Sequence, residues 1–112
     1  MKRNAIKSIE LQAIVCEHMF NADSKARLTN IYDYSYQDLE LGRNSIERSF
    51  VFSGLYRKRV VVCQHYPKIQ YTVSITLNDD LYDRYHCDTF DELDQIIKQG
   101  VTELHGYITT TV

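Results

Sequence analysis

The chain has 112 residues, a formal net charge of −2, 25% charged and 44% apolar residues. This is the length of one domain, able to bury roughly two-thirds of its unfolded surface, and the balance excludes wholesale disorder. No apolar run approaches the ~20 residues of a membrane helix, and Lys7 and Glu10 interrupt the segment after the basic Met1-Lys2-Arg3-Asn4, which argues against a secretory leader.

Asn4 to Phe20 is predicted to be a helix. Ile6, Ile9, Ala13, Cys16 and Phe20 recur at spacings of three and four on one face, and Asn21-Ala22-Asp23-Ser24 supplies a stop. Ile31 to Tyr36 alternates as a strand, with Tyr32, Tyr34 and Tyr36 on one side and Asp33 and Ser35 on the other. A loop at Gly42–Ser45 precedes a second strand, Ile46 to Ser53. A turn at Ser53-Gly54 leads to a third strand, Arg57 to His65. Pro67 in Tyr66-Pro67-Lys68-Ile69 fits a type I turn.

Ile69 to Leu77 gives the clearest signal. Ile69, Tyr71, Val73, Ile75 and Leu77 are apolar and every residue between them is polar, so one face meets a core and the other is wet. Asn78-Asp79-Asp80 turns the chain, and Leu81 to Cys87 returns. Thr89-Phe90-Asp91-Glu92 matches a capping box, after which Phe90, Leu93, Ile97, Val101 and Leu104 continue at helical spacing. Gly100 either ends this helix or lies within it. The Thr-rich tail, Ile108 to Val112, reads as a short edge strand. Hairpin-length connections favour antiparallel pairing. The expected fold is a single α+β domain over 1–112: an N-terminal helix, an antiparallel sheet of four to five strands and a C-terminal helix, with both helices on one face.

Cys63, His65, His86 and Cys87 raise the question of a zinc site. Matching apolar faces places Val62 opposite Val73 and Val60 opposite Ile75, which sends Arg57, Arg59, Cys63 and His65 to the outer face. A three-residue loop at Asn78–Asp80 places Tyr85 opposite Val73 and Cys87 opposite Tyr71, with Tyr82, Arg84 and His86 outside. Asp83 then falls opposite Ile75, a defect in this register. A two-residue loop would turn Tyr82, Arg84 and His86 inward. Cys87 and His86 thus point to opposite faces, and Cys63 and His86 lie two strands apart, roughly 10 Å. Zinc ligands must converge within ~2.3 Å of one point. No metal is expected. The three cysteines read as reduced thiols in a cytoplasmic protein, Cys63 and Cys87 as packing residues, and His65 and His86 as surface imidazoles.

No catalytic constellation emerges. Cys63 and His65 share a strand face, but no acid is placed to orient the imidazole. Four glycines form no phosphate-binding loop, and Asp79, Asp80 and Asp83 read as a solvated hairpin tip. Neither enzymatic activity nor a cofactor is expected. Charge is segregated: six basic residues against Glu47 over Arg43–Lys68, and seven acids against Arg84 over Asn78–Gln95. Folding either mixes these segments into an ordinary surface or leaves opposed patches that steer a charged partner. Nine tyrosines and no tryptophan complete the picture. Tyr32, Tyr34 and Tyr36 are core under helix cover, and an interface ladder without it.

Two functions follow. The first is a protein-binding module, an inhibitor or regulator that docks Asp79, Asp80, Asp83, Tyr32, Tyr34 and Tyr36 on a basic, nucleic-acid-handling protein, with homo-oligomers allowed. The alternative is a nucleic-acid-binding domain using Arg57, Arg59, Arg84 and Tyr82 on the outer face. A sequence pI near 6.0 weighs against the second.

Overall fold

Five antiparallel strands pair in chain order, flanked by two helices. The computed structural model describes residues 8–111. The elements are α1 (Ser8–Ala22), β1 (Arg27–Asp38), β2 (Arg43–Ser53), β3 (Lys58–Tyr66), β4 (Gln70–Leu77), β5 (Asp80–Cys87) and α2 (Phe90–Thr111). The sheet order is β1-β2-β3-β4-β5, which makes β1 and β5 the edges. The protein is α+β, as its strand and helix signals indicate.

The strict alternation of β4 sets the middle of the sheet. Val62 pairs with Val73 and Val60 with Ile75, as the apolar pattern requires. Phe50, Phe52, Val60, Val62, Tyr71, Val73 and Ile75 form the sheet side of the core. The helices meet this side. The Phe20 ring of α1 stands edge-on to Phe52, with centroids 5.9 Å apart, and α2 supplies Leu93, Ile97, Val101, Leu104 and Ile108.

α2 begins where the capping box predicts. The Thr89 backbone N–H donates to Glu92 Oε1 at 3.0 Å, and the Glu92 N–H donates back to Thr89 Oγ1 at 3.3 Å. Gly100 lies within the helix. A Cβ there would stand 2.3 Å from Ile75 Cδ1 and 3.0 Å from Tyr85 Cε1, so glycine lets α2 lie close against β4 and β5. The tail is a correction: it is helical through Thr111. Ile108 continues the Leu104 stripe one turn on and is buried, which overrides the β-propensity of the threonines. Val112 lies outside the described residues.

α1 buries a different face from the one expected. Leu11, Val15 and Met19 are fully buried, whereas Ile9 is 87% exposed and Ala13 is also exposed. Apolar residues surround this helix, so spacing alone permits two stripes. Each large side chain gains about 1.5–3 kcal/mol on full burial, more than Ala13 or Cys16 can provide. Ile6 and the expected helix start at Asn4 lie outside the described residues. Beneath the end of α1, Lys58 Nζ donates to Asp23 Oδ2 at 2.5 Å, an ion pair with Lys58 buried.

The β4–β5 hairpin also differs. Its loop has two residues, Asn78 and Asp79, with φ of 51° and 72°, the left-handed pair of a type I′ turn. A register shift between Ile75 and Thr76 then inserts one extra residue on β5. Beyond it the pairs are Ile75–Asp83, Val73–Tyr85 and Tyr71–Cys87. The bulge keeps Arg84 and His86 on the outer face despite the short loop. The Tyr66–Pro67 peptide is cis, which the sequence reading did not anticipate.

Candidate functional site

The outer face is the side of the sheet that carries no helix among the described residues. Three cross-strand rows cover most of it. They run Tyr32-Ser49-Val61-Ser74-Arg84, Tyr34-Glu47-Cys63-Thr72-His86 and Tyr36-Ser45-His65-Gln70. Small side chains occupy the centre and long ones the flanks. Ser45, Ser49, Cys63 and His65 are consequently buried although no helix covers them. This corrects the reading of His65 as a surface imidazole: its exposure is only 7%.

A hydrogen-bonded chain crosses this centre. Ser45 Oγ lies 2.7 Å from His65 Nδ1, His65 Nε2 lies 3.0 Å from Thr72 Oγ1, and Thr72 Oγ1 lies 3.3 Å from His86 Nδ1. Burial, then the positive charge of Arg43, lowers the pKa of His65 and favours the neutral ring. Cys63 Sγ lies 3.8 Å from His65 Nδ1 and 3.4 Å from the Tyr36 hydroxyl. Burial raises its pKa, and Glu47 adds to the rise against the hydrogen bond from Tyr36. The resting pair is thus a thiol beside a neutral imidazole. The ring nitrogens of His65 meet hydroxyls, with no carboxylate among the described residues to orient them, and this geometry lacks the activated nucleophile of a thiol hydrolase.

Cys87 is on the core side, away from His86, and burial pushes its thiol up to about 11. Among the described residues, no group of three or more His, Cys, Asp or Glu side chains is arranged to hold a metal ion.

The proposed partner residues separate into two groups. Tyr32, Tyr34 and Tyr36 are together on the outer face of β1, with exposures of 41%, 52% and 48%. Asp79, Asp80 and Asp83 lie at the β4–β5 tip and the opposite edge, four strand spacings or roughly 19 Å away across the sheet. Asp79 also accepts a hydrogen bond from Arg57 Nη2 at 3.1 Å. One member of the acidic group and one of the arginine group therefore neutralise each other.

The nucleic-acid set divides as well. Arg59 pairs across from Thr76 on the outer face, and Arg84 Nε donates to Ser74 Oγ at 3.2 Å there. Tyr82 does not join them. Its hydroxyl donates to the Glu103 carbonyl at 3.4 Å and its ring lies 5.5 Å from that of Tyr107 on α2. The bulge turns it under the helix, which corrects its outer-face assignment.

Sequence reasoning missed Arg43, Ser45 and Glu47 as companions of Cys63 and His65. Antiparallel pairing of β2 with β3 was the signal that could have found them. It also missed a depression of about 330 Å³ between the helices, lined by His18, Asn21, Lys98, Thr102 and His105. No helix among the described residues is long and apolar enough to cross a membrane. No protein-family model matches the chain, and no curated protein matches it either.

Proposed function

We propose that the domain is a non-enzymatic protein-binding module whose contact element is β1. One observation carries this reading: three tyrosines stand exposed side by side on a twelve-residue edge strand. Tyrosine contributes a large contact area at low entropy cost, and an edge strand offers unpaired backbone groups for strand addition. The exposed acids Asp80, Asp83, Asp88, Asp91, Glu92 and Asp94 on the far edge and the start of α2 would steer a partner with a basic surface. In its most specific form that partner is a cytoplasmic nucleic-acid-handling protein, which the domain inhibits or regulates.

The nucleic-acid reading has a specific observation of its own. Tyr32, Tyr34 and Tyr36 share the outer face with Arg59 and Arg84, and a sheet carrying aromatics and arginines can stack single-stranded bases. Its weaknesses are the pairing of Arg57 with Asp79, the loss of Tyr82 and the net charge of −2.

The test compares wild type with a Tyr32→Ser, Tyr34→Ser double variant, with circular dichroism as the folding control. The expected result is a partner captured by wild type and lost by the variant, with no gel shift of single- or double-stranded DNA or RNA. Equal capture by both proteins would remove β1 from the interface. A salt-sensitive shift abolished by Arg59→Glu and Arg84→Glu would replace this reading with the second.

A further inference from the structure

Two depressions adjoin on the outer face. One, of about 300 Å³, extends from Tyr36 and Glu47 to Arg84. The other, of about 180 Å³, extends to Asp88. Arg43, His65, Thr72 and His86 line both. The Arg43 guanidinium, the His86 imidazole and the Thr72 hydroxyl are a donor set that holds an oxyanion, with His65 bracing Thr72.

Arg43 differs from Arg48 and Arg57, which are paired with carboxylates. Arg48 Nη2 donates to Asp33 at 2.9 Å and Arg57 Nη2 to Asp79 at 3.1 Å. Arg43 has no carboxylate partner among the described residues, and its Nε is buried without a hydrogen-bond acceptor, as is that of Arg59, which lines neither depression. An unmatched buried donor is destabilising, and a bound anion would supply the missing acceptor. The surrounding groups are already held in place. Thr72 is fixed between His65 and His86, and His65 is fixed by Ser45. The carboxylates Glu47 and Asp88 belong to one depression each, outside the shared set. They are unsuited to an anion but suited to accept hydrogen bonds from hydroxyl groups.

From this arrangement we infer that the outer face binds a small polyhydroxylated phosphomonoester. Arg43 anchors the phosphate, Thr72 and His86 hydrogen-bond to it, and Glu47 or Asp88 receives hydroxyls of the body. The site meets the β1 row only at Tyr36, and the variants that test the two assignments avoid that residue, so either can fail without the other.

The probes are inorganic phosphate, ribose 5-phosphate and ribose, titrated into the full chain and followed through amide chemical shifts. Saturable shifts at Arg43, Thr72 and His86 are expected, with ribose 5-phosphate binding tighter than phosphate and ribose not binding. Arg43→Gln should weaken binding by about tenfold or more, a factor equal to about 1.4 kcal/mol. Arg43→Lys keeps the charge but lacks the planar fork, and should also weaken it. Arg57→Gln should leave it unchanged, and unaltered shifts elsewhere in each variant certify the fold. Absence of saturation, equal loss in Arg57→Gln, or shifts centred on His18, Lys98 and His105 would overturn the assignment. Ribose 5-phosphate binding no tighter than phosphate would remove the polyhydroxylated body. Displacement by a single-stranded oligonucleotide without terminal phosphates would identify a nucleic-acid backbone instead.

Discussion

The two edges of the sheet carry the same aromatic residue and treat it in opposite ways. On β5, Tyr82 and Tyr85 turn under α2. The Tyr85 hydroxyl donates to Glu103 Oε1 at 2.9 Å, and Tyr82 stacks near Tyr107. On β1, Tyr32, Tyr34 and Tyr36 stand in solvent, and inward-facing Ile31 is exposed too. Both edges carry a bulge and three charged side chains, so what sets β5 apart is the helix packed against it. β1 is longer, and its central charge, Asp33, is paired with Arg48. Helix cover, rather than strand sequence, decides which tyrosines belong to the core and which remain available to a partner.

The largest effect should come from removing the scaffold both edges share. Val73 is fully buried between Val62 and Tyr85. Val73→Asp should abolish the cooperative melting transition, because an unpaired buried charge costs several kcal/mol against a domain stability of about 5–15 kcal/mol. Thr72→Asp, on the outer face, should retain that transition. Equal unfolding by both would mean that the two faces do not differ in the way described.

Gly100→Ala targets the β4–β5 side of the sheet. The added methyl meets Ile75 and Tyr85, and such overpacking typically costs about 1–3 kcal/mol. The helical preference of alanine returns at most about 1 kcal/mol. Thermal melting should show a net loss, and hydrogen exchange should quicken at β5 with little change at β1. A stabilised variant would mean that α2 has room to move away.

Tyr85→Phe should lower stability by about 0.5–1.5 kcal/mol through its lost hydrogen bond. Tyr34→Phe should leave it within about 0.5 kcal/mol in urea melts. Tyr85→Phe should also change the pH profile of stability. Burial, then Glu103, raises the Tyr85 pKa above the ordinary phenol value. Its contribution is therefore complete below about pH 10, the unfolded value, and declines as pH rises toward the folded one. Tyr85→Phe should flatten the alkaline fall in stability relative to wild type.

The smallest effect concerns charge. With Asp79, Asp80 and Asp83 changed to Lys, partner association should slow by roughly tenfold or less at low salt. The difference should shrink with added salt, as for steering charges. Stopped-flow kinetics on the captured partner measure this, and a change confined to dissociation would place these acids inside the contact.

The legible parts of the fold were those where one register or one motif had no competitor. Sliding β4 by one residue would expose Val73 and Ile75, so its pairing with β3 follows from alternation. Thr89 and Glu92 form a cap that depends only on neighbours. α1 was less legible because its apolar residues surround the axis, and partner surfaces selected Leu11, Val15 and Met19. Tyr82 was misplaced because a bulge on β5 leaves no mark in the alternation of β4. The candidate site was legible only in fragments. Cys63 and His65 are neighbours on one strand, but their burial comes from Tyr36, Arg43 and His86 on other strands. Likewise, the partner that lets Lys58 be buried, Asp23, comes from the end of α1, far away in the sequence.

The contact between Tyr36 and Cys63 makes the tyrosine row uneven in its freedom. Tyr36 is held at its hydroxyl, 3.4 Å from Cys63 Sγ and 3.5 Å from Glu47 Oε1. The hydroxyls of Tyr32 and Tyr34 make no such bond among the described residues. Immobilising a mobile side chain on binding costs about 0.5–1.5 kcal/mol, and Tyr36 has met part of that cost before any encounter. A partner would therefore find one end of the row stiff and the other adaptable. The stiff end suits first registration, and the adaptable end can adjust afterward to partners of different shape.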